Sequence, residues 1–86
     1  MKSPFDFSGK VVLVTGSSRG IGAEMIKGFG TRGAQCVVNY LADGQGQNKA
    51  DALAVAKELN EPLVIECDVT QPQQVEAMMK QIQDQR

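Results

Sequence analysis

The stretch Val11-Val12-Leu13-Val14-Thr15-Gly16-Ser17-Ser18-Arg19-Gly20-Ile21-Gly22 decides how the rest of the chain is read. Its first four residues form a continuous apolar run, the pattern of a strand buried on both faces in a parallel sheet. Three glycines follow at spacing G-x-x-x-G-x-G. Ile21, Met25, Ile26 and Phe29 then recur at helical spacing, and Gly33 stops that helix. A strand, a glycine turn and a helix in this order make an anion site. Gly16 permits the sharp turn out of the strand. Gly20 lets a ligand approach the backbone with no Cβ in the way, and Gly22 lets the helix pack closely on the strand. The N–H groups at the helix start then bind a phosphate, helped by the helix dipole. No Gly-Lys-Ser/Thr follows, so this is not a Walker A loop. Gly28 and Gly30, inside the helix, cost about 1 kcal/mol each against alanine and make sense if the helix lies close to a sheet.

Outward from this unit, Gln35–Tyr40 reads as a second strand and Asp43-Gly44-Gln45-Gly46 as a loop. A polar helix runs from about Gln47 to Leu59, with Ala50, Leu53, Ala54 and Ala56 as its apolar face, and Asn60-Glu61-Pro62 breaks it. Leu63–Cys67 reads as a third strand. Thr70-Gln71-Pro72-Gln73 has the signature of a capping box with proline in the first turn. The last helix carries Val75, Met78, Met79 and Ile82 as a core stripe. This βαβαβα order implies an α/β fold with right-handed crossovers. It is the N-terminal half of a doubly wound (Rossmann) parallel sheet, three strands in order 3-2-1.

Bulk properties narrow the function. Net charge is −1 and 42% of the 86 residues are hydrophobic, so no electrostatic ground exists for a nucleic acid or anionic membrane partner. No apolar run reaches the roughly eighteen residues of a membrane span. Met1–Phe7 contains no apolar signal region, and the expected compartment is the cytoplasm. Cys36 and Cys67 read as small buried hydrophobes, at opposite ends of neighbouring strands and too far apart for a disulfide. The chain has no histidine, which excludes Ser-His-Asp and Cys-His mechanisms within it and leaves too few ligands for a metal site.

Gly9-Lys10-Val11 leading into Val14-Thr15-Gly16-Ser17-Ser18-Arg19-Gly20-Ile21-Gly22 resembles the N-terminal signature of short-chain dehydrogenases/reductases. Cys67-Asp68-Val69-Thr70 resembles that family's adenine-contact motif. The flavour is most like that of 3-oxoacyl-(acyl-carrier-protein) reductases. The resemblance covers nearly the whole chain. It implies cofactor contacts at Gly16, Ser18, Arg19, Gly20, Ile21, Gly22, Asn39, Tyr40, Asp68 and Val69. Ser18 has two readings, a bond to a phosphate oxygen or a turn residue bonding its own backbone. Asp68 likewise either accepts from the adenine amino group or serves as a helix N-terminal charge, worth about 0.3–1 kcal/mol. Ser17 is read as turn chemistry only.

The dinucleotide is expected to be NADP(H) rather than NAD(H). An NAD site places Asp or Glu at the end of the second strand, and Asn39-Tyr40 stand there instead. Arg19 could pair bidentately with a 2′-phosphate. The competing reading makes Asp43 the ribose acid and Arg19 a solvated charge.

The family's Asn-Asn-Ala-Gly, serine and Tyr-x-x-x-Lys motifs, which carry its chemistry on a small carbonyl or alcohol substrate, are not in this sequence. No residue is therefore assigned as catalytic. Residues 1–86 are expected to be the adenine-side part of a dinucleotide-binding domain from an NADP-dependent oxidoreductase. The 86 residues alone are expected to be marginally stable, to bind NADPH weakly and to lack reductase activity. The alternatives are a non-catalytic nucleotide-binding or partner-binding half-domain completed by another chain, and a fold kept for structure only. A homo-oligomer is open.

Overall fold

The structure is a computed structural model and describes residues 5–86; the first four residues of the signal-free N-terminal reading lie outside these. Strand β1 spans Val11–Val14, helix α1 Gly20–Gly30, strand β2 Gln35–Tyr40, helix α2 Gln47–Ala56, strand β3 Leu63–Glu66 and helix α3 Pro72–Gln85. The three strands form one parallel sheet with β2 in the middle. Val12 pairs with Cys36, and Asn39 with Ile65. This is the expected α/β half-fold.

A central parallel strand must bury both faces, and β2 does so from Cys36 to Tyr40. Alternation divides it. Cys36, Val38 and Tyr40 join Ala23 and Ile26 of α1 and Ala52 and Val55 of α2 in one core cluster. Val37 joins Ile65, Cys67, Met78 and Ile82 in the other, against α3. Helices therefore cover both faces, two on one side and one on the other. The cysteines are free, buried, and belong to opposite clusters. Burial pushes the Cys36 thiol pKa up, as for an inert core thiol.

The helix faces differ from the sequence expectation. In α1 the buried residues are Ala23 and Ile26, while Ile21 is 81% exposed and Met25 48%. Small residues decide this face, because they let the helix axis approach the sheet. A Cβ on Gly30 would meet Leu59 Cδ2 at 2.7 Å and Cys36 Sγ at 3.4 Å, so the close packing expected of Gly30 is present. Gly28 has no such neighbour on the sheet. In α2 the buried residues are Ala52 and Val55, not Ala50, Leu53 and Ala54, and the helix ends at Ala56 rather than Leu59. In α3, Met78 and Ile82 are buried and Val75 partly so, but Met79 is half exposed.

Two boundaries also move. Helix α1 ends three residues before Gly33. Strand β3 ends at Glu66, although Cys67 N–H still donates to Tyr40 O at 3.0 Å.

Ile26→Ala should therefore destabilise the fold by about 2–5 kcal/mol, because it opens a cavity in a fully buried site. Ile21→Ala, on the exposed face, should change stability of the 86-residue chain by no more than about 0.5 kcal/mol. Urea denaturation of the two variants checks the assignment of faces, and equal losses would contradict it.

Candidate functional site

The turn between β1 and α1 is held by one buried amide. Asn39 is 2% exposed. Its Oδ1 accepts from Gly16 N–H at 3.0 Å, and its Nδ2 donates to Ile65 O at 3.2 Å and Cys67 O at 3.3 Å. Its backbone N–H donates to Ser17 Oγ, and its C=O accepts from Ser17 N–H, each at 3.0 Å. Ser17 is itself fully buried. Five hydrogen bonds thus tie the glycine turn to β2 and to the end of β3. Asn39 was expected beside the cofactor ribose; the structure turns its side chain inward. The signal was present in the sequence, since an Asn inside a strand buried on both faces must be hydrogen-bonded. Tyr40 likewise lies in the core cluster with α2, 8% exposed. Ser17, read as turn chemistry only, holds the turn by its bonds to Asn39 of β2.

The glycines divide their labour. Gly16 and Gly20 have φ of +64° and +62°, the left-handed region that glycine enters at no steric cost. A Cβ on Gly20 would meet nothing within 4 Å, so its backbone faces open space. Gly22 permits close packing, but on the turn and not on the strand. A Cβ there would lie 2.5 Å from Gly16 O and 3.0 Å from Ser17 Cα.

Arg19 is the N-cap of α1, with extended backbone and no side-chain cap. The first intrahelical bond runs from Ala23 N–H to Arg19 O, so the N–H groups of Gly20, Ile21 and Gly22 precede it. No acidic side chain stands in the first turn to satisfy them. Ser18, Arg19, Gly20, Ile21, Glu24 and Asp51 are among the residues that line a cleft of about 880 Å³ between α1 and α2. Ser18 is 8% exposed. The Arg19 guanidinium crosses towards α2, where it meets Asp51 Oδ2 at 3.1 Å and Asn48 Oδ1. Asp43 is turned to helix capping, its Oδ1 accepting from Asn48 N–H at 3.0 Å.

At the end of β3, Asp68 is partly exposed and Val69 half exposed. Asp68 Oδ1 accepts from Thr70 N–H at 3.0 Å and from Thr70 Oγ1 at 2.7 Å. These bonds favour the carboxylate and lower its pKa. The N-cap of α3 is Gln71, not Thr70, with Pro72 at the helix start. The capping box expected at Thr70 is replaced by Gln74 Oε1, which accepts from Asp68 N–H at 2.8 Å. The turn and Asp68 thus lie at the C-terminal ends of β1 and β3, joined through Asn39.

Comparison with known proteins identifies the lineage. The short chain dehydrogenase family model matches residues 10–86. The chain belongs to the short-chain dehydrogenase family. It is 43% identical over 77 residues to versicolorin reductase 1 of Dothistroma septosporum, covering 90% of this chain and 29% of that one. It is 36% identical over 74 residues to a tetrahydroxynaphthalene reductase of Pestalotiopsis fici, covering 86% and 26%. A crystal structure of a short-chain type dehydrogenase/reductase from Mycobacterium marinum superposes with a TM-score of 0.71 at 40% identity, over 90% of this chain and 30% of that one. The chain thus spans between a quarter and a third of the length of these relatives. The family uses a nicotinamide dinucleotide. Among the described residues, no helix is long and apolar enough to cross a membrane, and no cluster of three metal-ligating side chains occurs.

Gly22→Ala should push Gly16 O aside, and we expect a loss of about 1–3 kcal/mol in urea denaturation, with weaker dinucleotide binding. Wild-type stability and affinity in that variant would contradict the packing role.

For Asp68, a depressed folded-state pKa means a contribution present above the unfolded carboxylate value and lost as pH falls through the folded one. Thr70→Val should raise the Asp68 pKa towards the ordinary carboxylate range. A carboxyl-carbon NMR titration reads this directly, and an unmoved titration would contradict the assigned cause.

Proposed function

We propose that residues 1–86 form the adenine-side half of an NADP(H) site in a carbonyl reductase of the short-chain dehydrogenase family. The carrying observation is the pairing of a guanidinium with a neutral strand end. Arg19, 59% exposed, stands at the cleft beside the glycine turn, and no carboxylate terminates β2. An NAD site wants a carboxylate there for the ribose 2′-OH. A 2′-phosphate wants an arginine fork and no carboxylate at the strand end.

The residues present fit the cofactor. Gly20 offers open backbone where a Cβ would intrude, and the N–H groups at the start of α1 precede any intrahelical bond. In this reading those N–H groups and Ser18 hold the pyrophosphate and Gly16, Gly20 and Gly22 give it room. Arg19 holds the 2′-phosphate, and Asp68 accepts from the adenine amino group. Ile21 and Val69, both exposed and apolar, give the dinucleotide van der Waals surface. Asn39 acts as a positioning residue and Tyr40 as core. NADP(H), when bound, supplies the hydride chemistry at a carbonyl or alcohol carbon. No residue among these 86 is assigned to proton transfer. The 3-oxoacyl thioester is the substrate class we favour, on the resemblance of the turn and of Cys67–Thr70 alone.

A second reading has a specific observation behind it. β1 is an edge strand with Val11 40% exposed, and Ile21 and Met25 are exposed on α1. A half-domain completed by another chain, or by a second copy of this one, would cover that apolar surface.

A fluorescence titration is expected to show NADP+ bound tenfold or more tighter than NAD+, with Arg19→Ala removing the difference, since hydrogen bonds to a charged group are worth about 1.5–3 kcal/mol. Equal affinities in the wild type, or a preference that survives Arg19→Ala, would contradict the NADP(H) assignment.

A further inference from the structure

The guanidinium assigned to the 2′-phosphate already has partners. Arg19 Nη2 lies 3.1 Å from Asp51 Oδ2 and donates to Asn48 Oδ1, both on α2. These partners are themselves fixed. Asp51 Oδ1 accepts from Gln47 Nε2 at 2.7 Å, and the carboxylate is 30% exposed. Asn48 donates from its backbone to Asp43 Oδ1 and from Nδ2 to Leu41 O at 2.8 Å. The latch spans the cleft from the N-cap of α1 to the first two turns of α2.

Its geometry bears on phosphate binding. A guanidinium offers two forks to an oxyanion, Nε with Nη2 and Nη1 with Nη2. Both need Nη2. That nitrogen donates an N–H to Asn48 and lies in ion-pair contact with Asp51. A phosphate that engages Arg19 bidentately therefore competes with Asn48 and Asp51 at Nη2. Asp51 is also a fixed negative charge beside the place a phosphate dianion must occupy, and like charges repel at this range.

We propose that Asp51 is a specificity-determining residue of the dinucleotide site: a built-in acidic competitor that occupies Arg19 and must be displaced by a 2′-phosphate. It holds the NADP(H) preference below the level that Arg19 and a neutral β2 end would set. NAD(H), with a 2′-hydroxyl, leaves the latch closed and is indifferent to Asp51. The inference rests on the reading of Arg19 as the 2′-phosphate residue.

The test is a set of dissociation constants for NADP+ and NAD+ on the purified protein, with wild type, Asp51→Asn, Asp51→Ala, Arg19→Ala and the Arg19→Ala/Asp51→Asn double variant. Both Asp51 variants should tighten NADP+ about two- to fivefold, the range of an exposed ion pair. NAD+ affinity should stay unchanged, which also reports that the site is folded. In the Arg19→Ala background the Asp51 change should do nothing. Unchanged or weaker NADP+ binding in both Asp51 variants, or equal tightening of both dinucleotides, overturns the inference. A wild type with no NADP+ preference overturns the coenzyme reading instead. In that case a preference that appears on Asp51→Asn still upholds the competitor role, and none appearing overturns both.

Discussion

The buried amide of Asn39 is the constraint on which the site depends. A glycine turn has little to hold its own shape, since its residues are chosen for freedom and carry almost no side chain. Here the restraint comes from outside the turn. Asn39 accepts from Gly16 and donates to two carbonyls at the end of β3, while its backbone exchanges two bonds with Ser17. A buried amide with all these partners is stable, and one that loses them leaves unsatisfied polar groups at about 1–3 kcal/mol each. The glycine turn and the strand end that carries Asp68 are therefore positioned by the same side chain.

Around this knot the sheet works as a rigid platform. β2 is covered on both faces, by α1 and α2 on one and by α3 on the other. Parallel strands all deliver their C-terminal ends to one side of the sheet, and that is where open α/β sheets bind ligands. The glycine turn follows β1, Asn39-Tyr40 end β2, and Asp68 follows β3. The ion pair of Lys27 with Glu58, at 2.9 Å, joins α1 to the chain just after α2, and the Arg19–Asp51 pair spans the same two helices nearer the turn. The cleft between α1 and α2 is thus bordered by charge at both ends.

The strands were legible in the sequence because buried parallel strands are built on apolar runs, and Val11–Val14 and Cys36–Val38 needed no tertiary knowledge. The helix faces were less so. Of the residues chosen by spacing, Ile26, Met78 and Ile82 are buried, whereas Ile21, Met25 and Leu53 are exposed. The structure buries Ala23, Ala52 and the Gly30 edge, since close approach of helix to sheet favours residues that are small. The turn glycines were legible by spacing, but the partner of Gly22 was not, because its contact is with the turn's own backbone. Asn39 was seen as a neutral strand end, and its inward direction followed from register, which alternation with Val37 already contained. Asn48 and Asp51 gave no signal, because nothing in the spacing of an exposed helix says which distant arginine it faces.

The most direct test of the account is where a dinucleotide lands. Amide chemical-shift mapping by NMR, on titration of the protein with NADP+, should show its largest changes from Gly16 to Gly22 and at Asp68 and Val69, with smaller ones at Asn48 and Asp51. Perturbations that leave Gly16–Gly22 untouched and fall elsewhere on the chain would contradict it.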